Sequence, residues 1–109
     1  MSPLTSVQYL HNSNLFFSKK ELSKILSFYS FGVSKGKWRD YAIFFGKTET
    51  SFYMFKHSLA SPDCILTKLN RNKKDNFIYN LKFHNSNKKK FNRIDDLFIQ
   101  LKRREFKII

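Results

Sequence analysis

Phe77-Ile78-Tyr79-Asn80-Leu81-Lys82-Phe83-His84 is the stretch that decides the fold. Phe77, Tyr79, Leu81 and Phe83 fall on one face of an extended chain, and Ile78, Asn80, Lys82 and His84 fall on the other. Side chains alternate across a strand with a period of two, so these residues form an antiparallel strand with one face packed and the other half-exposed. Such a strand needs neighbours, and it needs a second layer over its apolar side.

The neighbours lie on both sides. Upstream, Asn70 to Asn76 is a polar, basic turn, and Cys64 to Leu69 before it is a strand. Ser58 to Asp63, with Ser, Pro and Asp, is a loop. Thr50 to His57 alternates aromatic and polar residues, and Gly46-Lys47-Thr48-Glu49 joins it as a hairpin to the short apolar run Tyr41 to Phe45. Downstream, Asn85-Ser86-Asn87 turns the chain. Lys88 to Phe91 is a short edge strand whose lysines discourage edge-to-edge pairing. Phe106 to Ile109 is a candidate terminal strand.

Two helices flank this meander. Ser18-Lys19-Lys20-Glu21 is a capping box, with Phe17 and Leu22 placed as a hydrophobic staple. Leu22, Ile25, Leu26, Tyr29 and Val33 follow as one buried stripe, with Phe28 and Phe31 widening it. Gly32 weakens the last turn, and Gly36 stops the helix. A second helix starts near Asn92, with Asp95 as a capping partner and Ile94, Leu97, Phe98 and Leu101 as its stripe. The expected fold class is α+β: helix, antiparallel meander of three to five strands, helix. Both helices pack on one sheet face in a two-layer α/β sandwich. Residues 1–16 read as a flexible leader and 17–109 as a single domain.

The composition suits one modest core: 109 residues, 41% apolar, 13 of them Phe. No apolar run approaches the roughly 18 residues that span a bilayer. Met1 to Phe17 contains no Lys or Arg, so it matches neither a secretory signal nor a mitochondrial presequence. Cys64 is the only cysteine, which suits a reducing compartment, the cytoplasm. The net charge of +13 points to an anionic partner. With 16 Lys against 5 Arg, and 9 Asn, the composition also carries the bias of an AT-rich genome. That bias explains the lysines but not the scarcity of Glu, which occurs three times. Residues 61–109 carry net +8 against +5 for residues 1–60, so any anion-facing surface belongs to the second half.

Phe17, Glu21, Leu22, Ile25, Leu26 and Tyr29, then Gly36-Lys37-Trp38-Arg39-Asp40-Tyr41-Ala42, resemble a small alphaproteobacterial family known only as a domain of unknown function. Its pattern is Phe-x-x-x-Glu-Leu-x-x-Ile-Leu, a Tyr, then Gly-x-Trp-Arg-Asp-Tyr-Ala. Phe52, Phe55 and Lys56 resemble its second-strand segment, and Asp96-Leu97 a pair in its C-terminal helix. Ile94-Asp95 stands where the family has Gly-His. The resemblance covers roughly residues 17–109, strongly to 43. It implies a bacterial cytoplasmic protein and supplies no activity, ligand or catalytic residue.

The candidate sites are basic and aromatic. Lys88, Lys89, Lys90 and Arg93 precede the second helix, where lysines and free backbone amides can grip phosphates together. In outline this is similar to double-stranded-RNA-binding domains, although Leu97, Phe98 and Ile99 replace the alanines of that family's final helix. Lys73 and Lys74 in a turn, and Arg103 and Arg104 at the chain's last helical turn, would complete a nucleic-acid groove if they converge. Trp38, Arg39, Asp40 and Tyr41 are either a ligand corner, with Trp38 for stacking, or a structural clasp under the first helix. The helix-to-strand position favours the clasp. On the exposed strand face, Tyr53 or Phe55 could stack bases, but core packing is the better expectation for both.

His11, His57 and His84 are too scattered for a metal site, and Cys64 has no ligand near it in sequence. Nothing local supports a Cys64–His57 nucleophilic pair, and with three glycines there is no phosphate loop. No catalytic residue, metal or cofactor is expected, and no enzyme. Two functions remain: an RNA- or other nucleic-acid-binding protein, or a protein-interaction and assembly module using Phe28, Phe31 or the Trp38 corner. Membrane insertion is not expected, and the oligomeric state is open.

Overall fold

Ser18 sets the first helix in motion. Its hydroxyl accepts from the Glu21 backbone N–H at 3.1 Å, and the Glu21 carboxylate accepts from the Ser18 N–H at 2.7 Å. Two of the helix's orphan donors are satisfied at once. The computed structural model describes residues 17–57, 60–72 and 76–106. α1 (Lys19–Ser34) leads into β1 (Asp40–Phe45), β2 (Glu49–Phe55), β3 (Cys64–Asn72), β4 (Asn76–Phe83), β5 (Lys89–Phe91) and finally α2 (Ile94–Phe106). The strands lie in chain order in one sheet, and each neighbouring pair is antiparallel. This is the expected α+β meander at its full five strands.

The register defines two faces. Tyr41, Ile43 and Phe45 align with Met54, Phe52 and Thr50, these with Cys64, Leu66 and Lys68, and those with Phe83, Leu81 and Tyr79. Both helices cover this face. Tyr29 of α1 packs edge-on against Tyr41 and Phe52, and Phe28 meets Phe98 of α2 with ring centroids 6.0 Å apart. Ile25, Leu97 and Leu101 have no exposed surface. Fully burying each aliphatic side chain of this size stabilises the fold by roughly 1.5–3 kcal/mol.

Three expectations need correction. Val33 is 43% exposed; the buried line of α1 runs through Ile25, Phe28 and Gly32 instead. The helix presents its Ile25–Gly32 side to the sheet, and Trp38 folds back beneath the last turn and occupies the space there. A Cβ on Gly32 would sit 2.1 Å from the Trp38 ring, so this glycine is a close-approach site and not merely a weak spot. Phe106 closes α2 and starts no strand; residues 107–109 lie outside the described residues. Gly36, with φ +76°, ends α1 as expected. The proposed leader, residues 1–16, lies outside the described residues.

Candidate nucleic-acid interface

With both helices on one side, the other face of the sheet is left uncovered by either of them. Its side chains stand in rows that the register fixes. One row runs Ala42, Tyr53, Ile65, Lys82, and the next runs Phe44, Ser51, Thr67, Asn80, Lys90. Phe55 sits opposite Asp40, and Glu49, Leu69 and Ile78 form a third row. Phe44 is 52% exposed, and Tyr53 and Phe55 are half-buried with ring centroids 6.3 Å apart. The expectation that Tyr53 and Phe55 pack in the core is overturned. Alternation on β2 gives the core Thr50, Phe52 and Met54, and the odd-numbered aromatics go to the open side. The face is also polarised. Asp40 and Glu49 stand on its β1–β2 side, and Lys82 and Lys90 on its β4–β5 side.

The basic residues divide by position. Lys88, Lys89 and Lys90 are exposed, and the latter two lie in edge strand β5. They therefore do not sit at the N-terminus of α2, which begins four residues after Lys90, and the double-stranded-RNA-binding layout is absent. Lys90 pairs with Asn80 on the open face, whereas Lys89 pairs with Leu81 on the helix side. Arg104 places its guanidinium 4.1 Å from the Phe83 ring centre. Phe83 ends β4 and Lys89 begins β5 beside it, so α2 runs back along β5 and returns Arg103 and Arg104 to the lysine end. Arg93 is left at the other end of this 13-residue helix, about 20 Å away, 3.6 Å from Asp95. Lys73 and Lys74 lie outside the described residues.

The Trp38 corner is internal. Trp38 is 1% exposed, stacks near Tyr29 and Phe28, and donates its indole N–H to Asp63 at 3.0 Å. Asp63 also lies 3.7 Å from Lys56. The clasp thus ties α1 to the β2–β3 loop through Trp38 and Asp63. Arg39 and Asp40 are exposed, and the Asp40 carboxylate accepts from the Tyr41 N–H at 2.8 Å. A ring this buried offers no stacking surface. Cys64 has no exposed surface, and His57 is exposed. Among the described residues no three of His, Cys, Asp and Glu come together as metal ligands.

Sequence reasoning missed one cluster. Lys68 is 4% exposed on the inner face of β3 and donates to Glu21 at 2.8 Å, and the buried Tyr79 hydroxyl donates to the other carboxylate oxygen. Lys68 also lies 4.1 Å from the Phe77 ring centre. Burial alone would raise the Glu21 pKa, but hydrogen bonds from Lys68, Tyr79 and the Ser18 N–H outweigh it and hold the group below its ordinary value of 4.5. Burial first, and then the Glu21 carboxylate, push the Tyr79 phenol well above its usual range. The signal was present in Cys64-Ile65-Leu66-Thr67-Lys68, where alternation puts a lysine on the inner face behind Cys64 and Leu66. Only a carboxylate from elsewhere makes that position tolerable.

The residues from the α1 cap to the β5 edge match one family model, described as Protein of unknown function (DUF2794), over residues 15–93. The chain belongs to the DUF2794 family. No curated protein and no solved structure matches it. In this DUF2794 chain the matched span takes in the Glu21–Lys68–Tyr79 cluster, the Trp38 clasp, the whole open sheet face and Lys88 to Lys90. It stops at Arg93, just before α2, so Arg103 and Arg104 fall outside it. Phe17, Glu21, Ile25 and Trp38 all have structural employment here. The open face has no such role in holding the layers together.

Proposed function

We propose that this protein binds single-stranded nucleic acid, RNA in the first instance, on the open face of its sheet, and that it performs no catalysis. The observation that carries this reading is the pair Tyr53 and Phe55, with Phe44 beside them, displayed on a face that neither helix covers. Bases of any sequence stack on such rings, and each stack is worth roughly 1–3 kcal/mol. Lys82 and Lys90 border the rings on the β4–β5 side. Tyr53 and Lys82 are two strands apart, about 10 Å, and share one register row. Bases over β1 and β2 with phosphates along β4 and β5 would satisfy both ends of that row. The acidic Asp40 and Glu49 side disfavours the reverse orientation. The net charge of +13 supplies long-range attraction. Lys88 lies at the same edge. Arg104 packs on Phe83 on the helix side of the sheet and does not belong to this track, and Arg103, Lys73 and Lys74 are assigned to it from sequence. A cytoplasmic, alphaproteobacterial setting belongs to the same proposal and rests on the single cysteine and the sequence resemblance.

Titration of fluorescent single-stranded and duplex RNA and DNA at about 50 and about 200 mM salt tests it. Expected are micromolar or tighter binding to single strands, a fall of orders of magnitude with salt, and a loss of about fivefold or more for Tyr53→Ala and for Phe55→Ala. Absence of binding at low salt overturns the proposal.

One observation favours a second reading, protein assembly. Phe31 and Ile99 are 48% and 51% exposed and line a groove of about 680 Å³ between α1 and α2, with Lys102 and the ion-paired Lys24 and Asp95, 2.7 Å apart, on its walls. An amphipathic helix that lays its apolar face on Phe31 and Ile99 matches that chemistry. Its binding would resist salt and be lost on Phe31→Ala with Ile99→Ala, with the sheet-face variants unaffected.

A further inference from the structure

Two buried side-chain oxygens, Asn70 Oδ1 and Asn80 Oδ1, have no hydrogen-bond partner among the described residues. Asn70 faces the helix layer. Asn80 is on the open face, in the middle of β4, and is only 9% exposed. It lies in the row Phe44, Ser51, Thr67, Asn80, Lys90, and the rest of that row's floor is small and polar. The Ser51 and Thr67 hydroxyls satisfy each other at 2.8 Å. To one side stand Tyr53, Ile65 and Lys82, and to the other Glu49, Leu69 and Ile78. The row is therefore a polar trough between larger side chains, with an exposed aromatic at one end, an ammonium at the other and an unsatisfied amide oxygen in its floor.

A buried acceptor without a partner among the described residues is a cost that a ligand able to donate to it would relieve. A strand interior has no need of an amide here; Val or Thr would fill the site and suit the sheet better. Lys82 and Lys90, which flank Asn80 along and across the sheet, are long and flexible and can swing aside for a ligand.

We infer that Asn80 reads the edge of a nucleobase, and that adenine is the base it selects. This rests on the single-strand proposal and deepens it. An asparagine amide accepts from the adenine exocyclic N6 amine through Oδ1 and donates through Nδ2 to N7, the two-point pairing by which asparagine reads adenine in duplexes. Tyr53, in the adjacent row two strands over, about 10 Å away, stacks a base at that end of the platform, and Lys90, beside Asn80, meets the neighbouring phosphate. Stacking alone is indifferent to sequence, so the amide turns a tolerant platform into a selective one.

The test is a panel of fluorescent homo-oligomers, A, C, U and an abasic control, titrated at about 50 mM salt against the wild type, Asn80→Val and Asn80→Ser, with thermal melts of each protein. The expected result is oligo-A bound about tenfold or more tightly than oligo-U by the wild type. Asn80→Val and Asn80→Ser should bring the two within about twofold while oligo-U binding hardly changes. The melting temperature of Asn80→Val should equal or exceed that of the wild type, because an unpaired polar group has been removed. A structural amide would behave oppositely, and a clear fall in melting temperature for both variants overturns the inference. So does a wild type without base preference, a preference for another base, or a preference that survives both substitutions; in each of these cases oligomers still bind and the platform stands. If no oligomer binds, the proposed function itself falls and Asn80 with it.

Discussion

Lys68 Nζ lies 2.8 Å from Glu21 Oε1, joining residues 47 positions apart in the chain. The lysine side chain is 5% exposed and the glutamate 13%, so both charges have been taken out of most of their water. Such a pair is tolerable only when the remaining lone pairs and protons are also used. Here they are: Tyr79 and the Ser18 N–H complete the carboxylate, and the Phe77 ring faces the ammonium. One glutamate caps α1 and pins its first turn to β3 and β4. The helix is therefore held at a fixed height over the inner face of the sheet.

Breaking one side of this pair should be expensive. Glu21→Gln leaves Lys68 buried without its counter-charge and should destabilise the protein by about 3 kcal/mol or more in urea unfolding. Combining it with Lys68→Met should recover part of the loss, because an apolar side chain suits that site. A single Glu21→Gln cost below about 1 kcal/mol would show that the cluster contributes little.

The same cluster sets the pH range. Glu21 is more acidic folded than unfolded, so its stabilisation is complete above its ordinary value near 4.5 and is lost as pH falls through the lower folded value. Tyr79 is shifted upward, so its contribution is complete below about pH 10 and drains away as pH rises further. The melting temperature should be flat between about pH 5 and pH 9.5 for these two groups and fall on both sides. Tyr79→Phe should soften the alkaline fall, and Glu21→Gln the acid one.

Gly32→Ala tests packing against propensity. Alanine is about 1 kcal/mol better than glycine inside a helix, yet its Cβ would lie 2.1 Å from Trp38 Cε3. The ring is pinned by its bond to Asp63, so repacking should win, with a net loss of roughly 1–3 kcal/mol. A stabilised Gly32→Ala protein would mean that Trp38 moves freely.

The division of the basic residues is equally open to test. Lys90→Glu should weaken single-strand binding and reduce the dependence of log affinity on log salt by about one unit. Arg93→Glu, at the far end of α2 and beside Asp95, should leave both nearly unchanged. Equal effects from the two would argue for a diffuse electrostatic surface.

Much of this architecture was already legible in the chain. The capping box at Ser18 and Glu21, the alternation of Phe77 to His84 and the turn residues between strands are local signals, each governed by a few neighbouring dihedrals. They specified helix, meander, helix, and the lysines of β5 as an edge. Local periodicity also named the α2 stripe of Leu97, Phe98 and Leu101. It misjudged Val33, because the direction in which a helix faces depends on what packs beneath it, here Trp38 arriving from beyond the helix end.

What only the tertiary structure decided is which face the two helices cover and which charges meet. Alternation on β2 separates Phe52 from Tyr53 and Phe55 but cannot say which set is inside. The helices settle that by covering one side, since α1 is anchored there through Glu21, Lys68 and Tyr79. Likewise Arg104 joins the lysine end and Arg93 leaves it only because α2 runs back along β5. Sequence by itself determined the elements and the charge. Contacts between residues far apart in the chain determined which aromatic face the helices leave uncovered and the burial of Asn80, because burial and partnership are properties of packed layers and not of any single segment.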